Sequence, residues 1–532
     1  MVSTVSTVSQ VSQSNWGLRP SSGLFALQSC CDANLCGRLG QTMKQGLEVD
    51  IYFSDFFQVR PRVVERYGAF DISLVNDLPL FIDPFLLFNS RKRKYRRLHD
   101  EMIRYLSFLR DESAEGRVND GLLRARYTFK EIHQNWLGFS KIGNRGSGLG
   151  MDFARALNSN LNSIFRSFGD ETITHGSHLE KLCVIGSGVG RDHVSDFTTN
   201  LIKGFLLDYT QTFALKHLVP RHRKSFAVAK VAFNYDSESW EPGRFELPCY
   251  RGEYVILTPR DILTKDEIWI NRPELISQFD DIVAALPNAS LRAELDAYLK
   301  KRLGRKPKQK EINQARIDAL RAYPVVIEHY IKDKEEHGDR AQSVSAQRVR
   351  QSELLYIEQV RPVAAELQSL GFYAISGTTY EEAHQRVEFL KDCIENKGCH
   401  RIFYVGGKPV RREEDVHILF RLIWFGTPSD VSREVNDGRG PVDFKISRGA
   451  KDKTLVEFKL ASNTQLKRNL KHQAETYQKA SDARKSIKVI VYRSAGEHRR
   501  VQRILKDLRL VSNPDVVLID ARKDNKPSGS KA

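Results

Sequence analysis

"GRGPVDFKISRGAKDKTLVEFKL", Gly438 to Leu460, sets an aspartate and a Glu-x-Lys pair among apolar residues on what read as two adjacent strands. Residues i and i+2 of a strand face the same way. Glu457 and Lys459 therefore share one face of the second strand, with Phe458 on the other, and Asp443 and Lys445 share a face of the first. "RGAKDK" between them is a turn, so the hairpin can bring Asp443 beside Glu457. Charges among apolar neighbours are costly unless they are paired or bind a ligand. Two carboxylates and a lysine at one spot ask for a divalent cation, and carboxylate oxygens suit Mg²⁺ or Mn²⁺.

The surrounding sequence supplies a fold for this hairpin. "RREEDVHILFRLIWFG" is an amphipathic helix from Arg411 to Trp424, and "VSREVN" a short strand. After the hairpin, "NTQLKRNLKHQAETYQKASDA" is a helix, "IKVIVYRS" a buried-type strand, "HRRVQRILKDL" a helix and "DVVLIDA" a last strand. Helix, hairpin, helix, strand, helix, strand predicts an α/β domain with a mixed sheet flanked by helices. On the first helix after the hairpin, Gln465, Asn469, Gln473 and Tyr477 recur every fourth residue and form one polar stripe, with Lys467, Arg468 and Lys471 beside it.

The whole chain has 532 residues, too many for one ordinary core. It is 41% hydrophobic and 28% charged, and no apolar run approaches the roughly 18–20 residues of a membrane span. The net charge of +17 points to phosphate-rich partners, and residues 401–532 carry 29 Lys and Arg against 16 Asp and Glu. The seven cysteines form no Cys-x-x-Cys pair and no disulfide framework, so a reducing cytoplasm is the expected location.

Residues 1–42, opening "MVSTVSTVSQVSQS", read as a disordered tail without the pattern of a signal peptide, and Met43 is a candidate start. Residues 43–267 read as an α+β domain. Within it, "GNRGSGLGMDFARAL" is a Gly-rich connector without the Gly-Lys-Ser/Thr of a phosphate loop, and a basic cluster runs from Arg91 to Arg97. Asp192 and Asp196 stand at helical spacing beside His193; a helix start explains them, and a second centre with Asp83 has no motif behind it. Residues 268–371 read as a helical connector, 372–523 as the C-terminal domain and 524–532 as a disordered tail.

The C-terminal pattern resembles the PD-(D/E)XK nuclease superfamily, with its restriction-endonuclease-like fold. Gly440-Pro-Val-Asp443, Glu457-Phe-Lys459 and Gln473-Ala-Glu-Thr-Tyr477 are similar to the Gly-x-x-Asp, Glu-x-Lys and Gln-x-x-x-Tyr series of RecB-like members. Glu414, or less well Glu413, matches the acidic position of the preceding helix, and Glu434 the one on the strand before Asp443. The resemblance covers roughly 110 residues, Arg412 to Asp520. It implies Asp443 and Glu457 as metal ligands, Lys459 at the water and scissile phosphate, Gln473 and Tyr477 positioning water or substrate, and Glu414 as a further ligand or base. Lys445, Asn463, Lys467, Arg468 and Lys471 are the candidate phosphate contacts.

The expectation is a Mg²⁺- or Mn²⁺-dependent deoxyribonuclease, an endonuclease by preference, with DNA as its partner. The N-terminal region is expected to sense, regulate or assemble, as in bacterial restriction-type and anti-phage systems, through a homodimer or a partner protein. An RNA-directed nuclease uses the same metal chemistry, and a basic adaptor with a vestigial site is the non-enzymatic alternative.

Overall fold

The computed structural model describes residues 50–138, 148–163, 165, 168–185, 190–374, 377–424, 430–432, 444–448, 452–471 and 485–526. Residues 49–532 form one compact unit, and the expected tail and the candidate start at Met43 lie outside the described residues.

The apolar run "LPLFIDPFLLF" becomes a strand and a helix. The strand β1 (Leu80–Ile82) is wholly buried, and Asp83 then caps the helix α1 (Pro84–Phe88), its Oδ1 accepting from the Phe85 amide at 3.1 Å. Proline in the first turn suits a helix start. The single charge in the run is thus a capping group. The basic cluster lies at the exposed start of α2 (Arg93–Ala114). Among the helices that follow are α3 (Lys181–Ile185), α4 (Arg191–Leu201) and α5 (Lys203–His217). Gly190 is the N-cap of α4 and Asp192 sits in its first turn, so the helix-start reading of the Asp192 cluster holds. The antiparallel strands β2 (Arg223–Asn234), β3 (Ser239–Tyr250) and β4 (Glu253–Tyr254) make a small sheet, and β5 (Leu263–Lys265) returns to pair with β1.

From α6 (Arg272–Ser277) to α7 (Thr379–Asn396) the chain is largely helical, as the connector reading expects. The two short strands β6 (Tyr404–Val405) and β7 (Lys408–Pro409) then form a ribbon ahead of α8 (Glu413–Trp424). The C-terminal sheet contains β8 (Asp430–Ser432), β9 (Phe444–Arg448), β10 (Asp452–Leu460), β11 (Lys485–Tyr492) and β12 (Val516–Asp520), with α9 (Ala495–Asp507) between the last two. Its order is β12-β11-β10-β9-β8; β8, β9 and β10 are antiparallel neighbours, whereas β10, β11 and β12 are parallel. The mixed α/β architecture expected of this region is present.

The two faces of the sheet belong to different cores. Val456, Phe458, Ile487 and Val489 join the main core, which runs without a break from Ile51 to Ala521. The expected boundaries at 268 and 372 fall inside that continuous core. Ile490 and Tyr492 face a second cluster with Leu466, Leu470, Val501 and Leu505. Two ion contacts tie the start of α8 to the end of β5 and the residue after it: Asp415 to Lys265 at 3.4 Å and Arg412 to Asp266 at 2.6 Å.

One expectation is corrected. Cys393 and Cys399, read as unpaired, are joined in a disulfide with Cα atoms 5.4 Å apart. The physical reason is a reversal of the chain: α7 ends at Asn396, and Gly398, at φ +76°, turns the backbone so that Cys399 meets the end of the helix.

Candidate active site on the C-terminal sheet

The strand β10 builds the site by alternation. Phe458 stacks on Phe420 of α8 at 3.7 Å between ring centroids, which fixes this face of the strand against the helix. Glu457 and Lys459 are thereby turned to the opposite face, as the period of two requires. Glu457 is only 5% exposed. The ladder sets it beside Lys488 of β11. Burial pushes the Lys488 ammonium below its usual range, while Glu457 and Asp515 pull it back up.

The first residue of α8 completes the constellation. Glu413 Oε1 lies 3.4 Å from Lys459 Nζ, and Oε2 accepts from the side-chain amide of Asn463. His417, one turn along the helix, reaches the Phe458 carbonyl at 2.9 Å and the Glu413 carboxylate at 3.6 Å. Burial works to raise the Glu413 carboxyl; His417, Lys459 and Asn463 outweigh it and hold it below the usual carboxylate range. Its buried Oε1 makes no hydrogen bond among the described residues.

Of the two acidic candidates on this helix, Glu413 reaches Lys459, whereas Glu414 is exposed to solvent. The reason is helical phase. Residues 100° apart around a helix cannot both face the strand, and Glu413 shares its face with His417, one turn away.

The candidate phosphate contacts divide. Asn463 is engaged within the fold: its amide donates to Glu413 and its Oδ1 accepts from the Gln465 amide at 2.8 Å. Lys467 pairs with Asp507 of α9 at 2.7 Å in an exposed contact. Arg468 and Lys471 are exposed on the helical stretch 466–471, and Lys445 is half-buried on β9 across from Leu455. Asp443, Gln473, Tyr477 and Glu434 lie outside the described residues.

Besides His417, three participants were not singled out from sequence. Lys488 stands alone among the apolar residues of "IKVIVY", and a lone lysine in a buried-type strand was the signal available. Arg500 of α9 donates to the carbonyls of Ala461 (2.6 Å) and Asn463 (2.8 Å), and Arg493 donates to Ser462 Oγ at 3.0 Å. These two arginines clamp the turn that follows Lys459. Nothing local in the sequence marks them, because their partners are more than thirty residues away.

Chemically, the described site offers two carboxylates, two lysines, and a histidine that reaches a backbone carbonyl and the Glu413 carboxylate. Carboxylate oxygens are the donor type that hard divalent cations take. Among the described residues, no cluster of three or more His, Cys, Asp or Glu side chains is gathered closely enough to hold a metal ion. No helix among the described residues is long and apolar enough to cross a membrane.

Two family models match the chain, each a domain of unknown function. The first (DUF8370) matches residues 58–271 and the second (DUF8371) residues 379–495. Glu413, Glu457, Lys459, Asn463 and Lys488 all fall in the second. No curated protein and no solved structure matches the chain.

Proposed function

We propose that the C-terminal domain is a metal-dependent nuclease of the restriction-endonuclease-like fold, acting on DNA. The observation that carries this reading is the contact of Glu413 with Lys459 from a flanking helix, beside the buried Glu457 on the same strand of a mixed sheet. An acid on the preceding helix next to a strand Glu-x-Lys is the arrangement that the resemblance implies.

Glu457 and Glu413 would hold Mg²⁺ or Mn²⁺, carboxylate oxygens being the donors that such ions take. The reading requires Asp443, the residue before Phe444, to join Glu457 as the other ligand. A divalent ion in such a site lowers the pKa of water and neutralises charge on a phosphate. Lys459 steadies the negative charge that develops on the scissile phosphate, because a fixed ammonium in a partly dry site needs no reorganisation as the reaction proceeds. Asn463 and His417 hold Glu413 in place, and Arg493 and Arg500 keep the turn after Lys459 rigid. The basic residues Arg468 and Lys471 are placed to meet the phosphate backbone. The N-terminal region would sense or regulate, as the effector of a restriction-type or anti-phage system requires.

A second reading has its own observation. Lys488 stands across the ladder from Glu457 and feels its charge, so a lysine rather than a metal could balance that carboxylate, as a non-catalytic nucleic-acid-binding adaptor would arrange. One experiment separates the two. The purified chain is incubated with supercoiled plasmid, linear duplex, single-stranded DNA and RNA, with Mg²⁺, Mn²⁺ or EDTA, beside Asp443→Ala and Lys459→Ala. Metal-dependent cutting lost in both variants is the expected result, and the substrate cut separates DNA from RNA. Absence of cutting, with salt-sensitive binding equal in all three proteins, would replace the nuclease by the adaptor.

A further inference from the structure

The helix α2 opens against its own electrostatics. Helix dipoles favour acids in the first turn, and the N-cap position favours a side chain with a hydrogen-bonding oxygen. Here the N-cap is Lys92, its side chain makes no capping bond, and no acid stands in the first turn. Arg91, Lys92, Arg93, Lys94, Arg96 and Arg97 are all exposed, an almost unbroken run of cations. The dipole repels the cations of that turn, so they do not serve to start the helix.

The fold leaves much of this charge unbalanced. Lys92 pairs with Asp261, whose other oxygen accepts from the Tyr95 hydroxyl at 2.9 Å. Arg96 donates to the Ser90 carbonyl at 3.0 Å, and Lys94 lies over the rings of Tyr95 and Phe205 at 5.1 and 5.4 Å. Among the described residues, Arg91, Arg93 and Arg97 form an ion pair with no acid; Asp100 and Glu101, further along α2, are exposed and bridge to none of them. Tyr95, His99 and Met102 are buried, so the helix is anchored beneath the cluster and holds it in place.

The composition of the cluster chooses among anionic partners. Arginine predominates, and its guanidinium fork meets phosphate oxygens two at a time. Arg93 and Arg97 stand one turn apart on the same side of α2, with about 5–6 Å between their Cβ atoms. A bilayer surface asks for apolar side chains beside the cations, and a single strand for exposed rings on which bases stack. The one aromatic residue of the run, Tyr95, is buried. A cationic edge with neither feature fits the outer phosphates of a duplex, which supply affinity without reading bases.

We propose that the start of α2 is a duplex-DNA contact of the N-terminal region, in which Arg91, Arg93 and Arg97 bind backbone phosphates irrespective of sequence. The cluster lies within the first matched region. That the duplex is DNA rests on the proposed function; the phosphate contact does not require the C-terminal site to cut.

Fluorescence anisotropy of the full chain with a labelled DNA duplex, in EDTA and over a series of salt concentrations, tests it. EDTA removes metal-dependent cutting, so failure of the nuclease reading would leave this measurement standing. The triple variant Arg91→Gln, Arg93→Gln, Arg97→Gln should bind at least about tenfold more weakly at about 0.1 M salt, and the slope of log K against log salt should become shallower by about 2–3. The triple variant to lysine keeps the charges and should keep the wild-type slope. Equal slopes in the wild type and the glutamine variant, or a lysine variant as shallow as the glutamine one, overturn the proposal. So does a loss confined to single-stranded DNA, to duplex RNA or to vesicles of phosphatidylcholine and phosphatidylserine. The glutamine variant should melt no earlier than the wild type, because it takes cations away from the positive end of α2. An earlier melt of both triple variants would make the arginines structural, and would overturn the proposal as well.

Discussion

Lys459 follows Glu457 by two residues on β10, Lys488 faces Glu457 from β11, and the nuclease reading needs the two lysines to differ in kind. Lys459 pairs with Glu413 and lies at the end of β10; Lys488 is pressed into the sheet by burial. Lys459→Ala is therefore expected to slow metal-dependent cutting by about 10²–10³-fold while DNA affinity changes little, the effect of losing one fixed electrostatic donor. Lys488→Met should leave the cutting rate within a few-fold, because a buried lysine acts on Glu457 rather than on substrate. Initial rates of plasmid relaxation and fluorescence anisotropy check both. Equal losses in the two variants would mean that Glu457 is held by a lysine pair and does no chemistry. The same assay judges the two acids of α8. Glu413→Gln should cost most of the activity, whereas Glu414→Gln, on the exposed side, should behave as wild type.

At the scale of the element, α8 has two duties within one turn. Glu413 serves the sheet and Asp415 serves the N-terminal region, where it meets Lys265 at 3.4 Å and accepts from the Tyr356 hydroxyl. Both members of the Asp415–Lys265 pair are buried. Removing one partner of a buried pair leaves the other charge uncompensated, at about 3–5 kcal/mol. Asp415→Ala should lose stability of that order in urea unfolding, and adding Lys265→Met should return most of it. If the double variant unfolds as early as the single one, the pair is not the joint described.

This helix also shows what the sequence could reveal. Its existence and apolar face were legible from periodicity, and so were the strands β9 to β12, because alternation and buried runs are local signals. The choice between Glu413 and Glu414 was not legible, because it depends on the helix's rotation against Phe458. The engagement of Asn463 with Glu413 was hidden for the same reason. The bond between Cys393 and Cys399 depended on a reversal at Gly398 that no pattern announced. Glu180 and Asp83 are distant in the chain, and only the fold sets one beside the other.

Across the whole molecule, acids in the N-terminal region hold protons that an unfolded chain would release. Burial, with smaller contributions from Glu131 and Asp192, pushes Asp196 up to about 7, and burial pushes Asp83 up to about 6. His99 works the other way: burial, then His178, lowers it to about 3, so it stays neutral where the unfolded chain takes up a proton below about pH 6.5. The absolute stability curve is thus a difference of opposing groups, and a single substitution reads one of them cleanly. Between about pH 4, where an unfolded aspartate ionises, and about pH 7, folded Asp196 keeps a proton that the unfolded chain has lost. Stability from this group therefore falls as pH rises through that window, by up to about 1.4 kcal/mol per pH unit. Asn cannot ionise and resembles the protonated acid. Asp196→Asn should unfold near the wild-type urea midpoint at pH 4.5 and at a clearly higher one at pH 7.5, with the gain levelling off above about pH 7. A gain of equal size at both pH values would show that Asp196 is ionised throughout, and that the cluster of Asp192, Asp196 and Glu131 is a solvated surface after all.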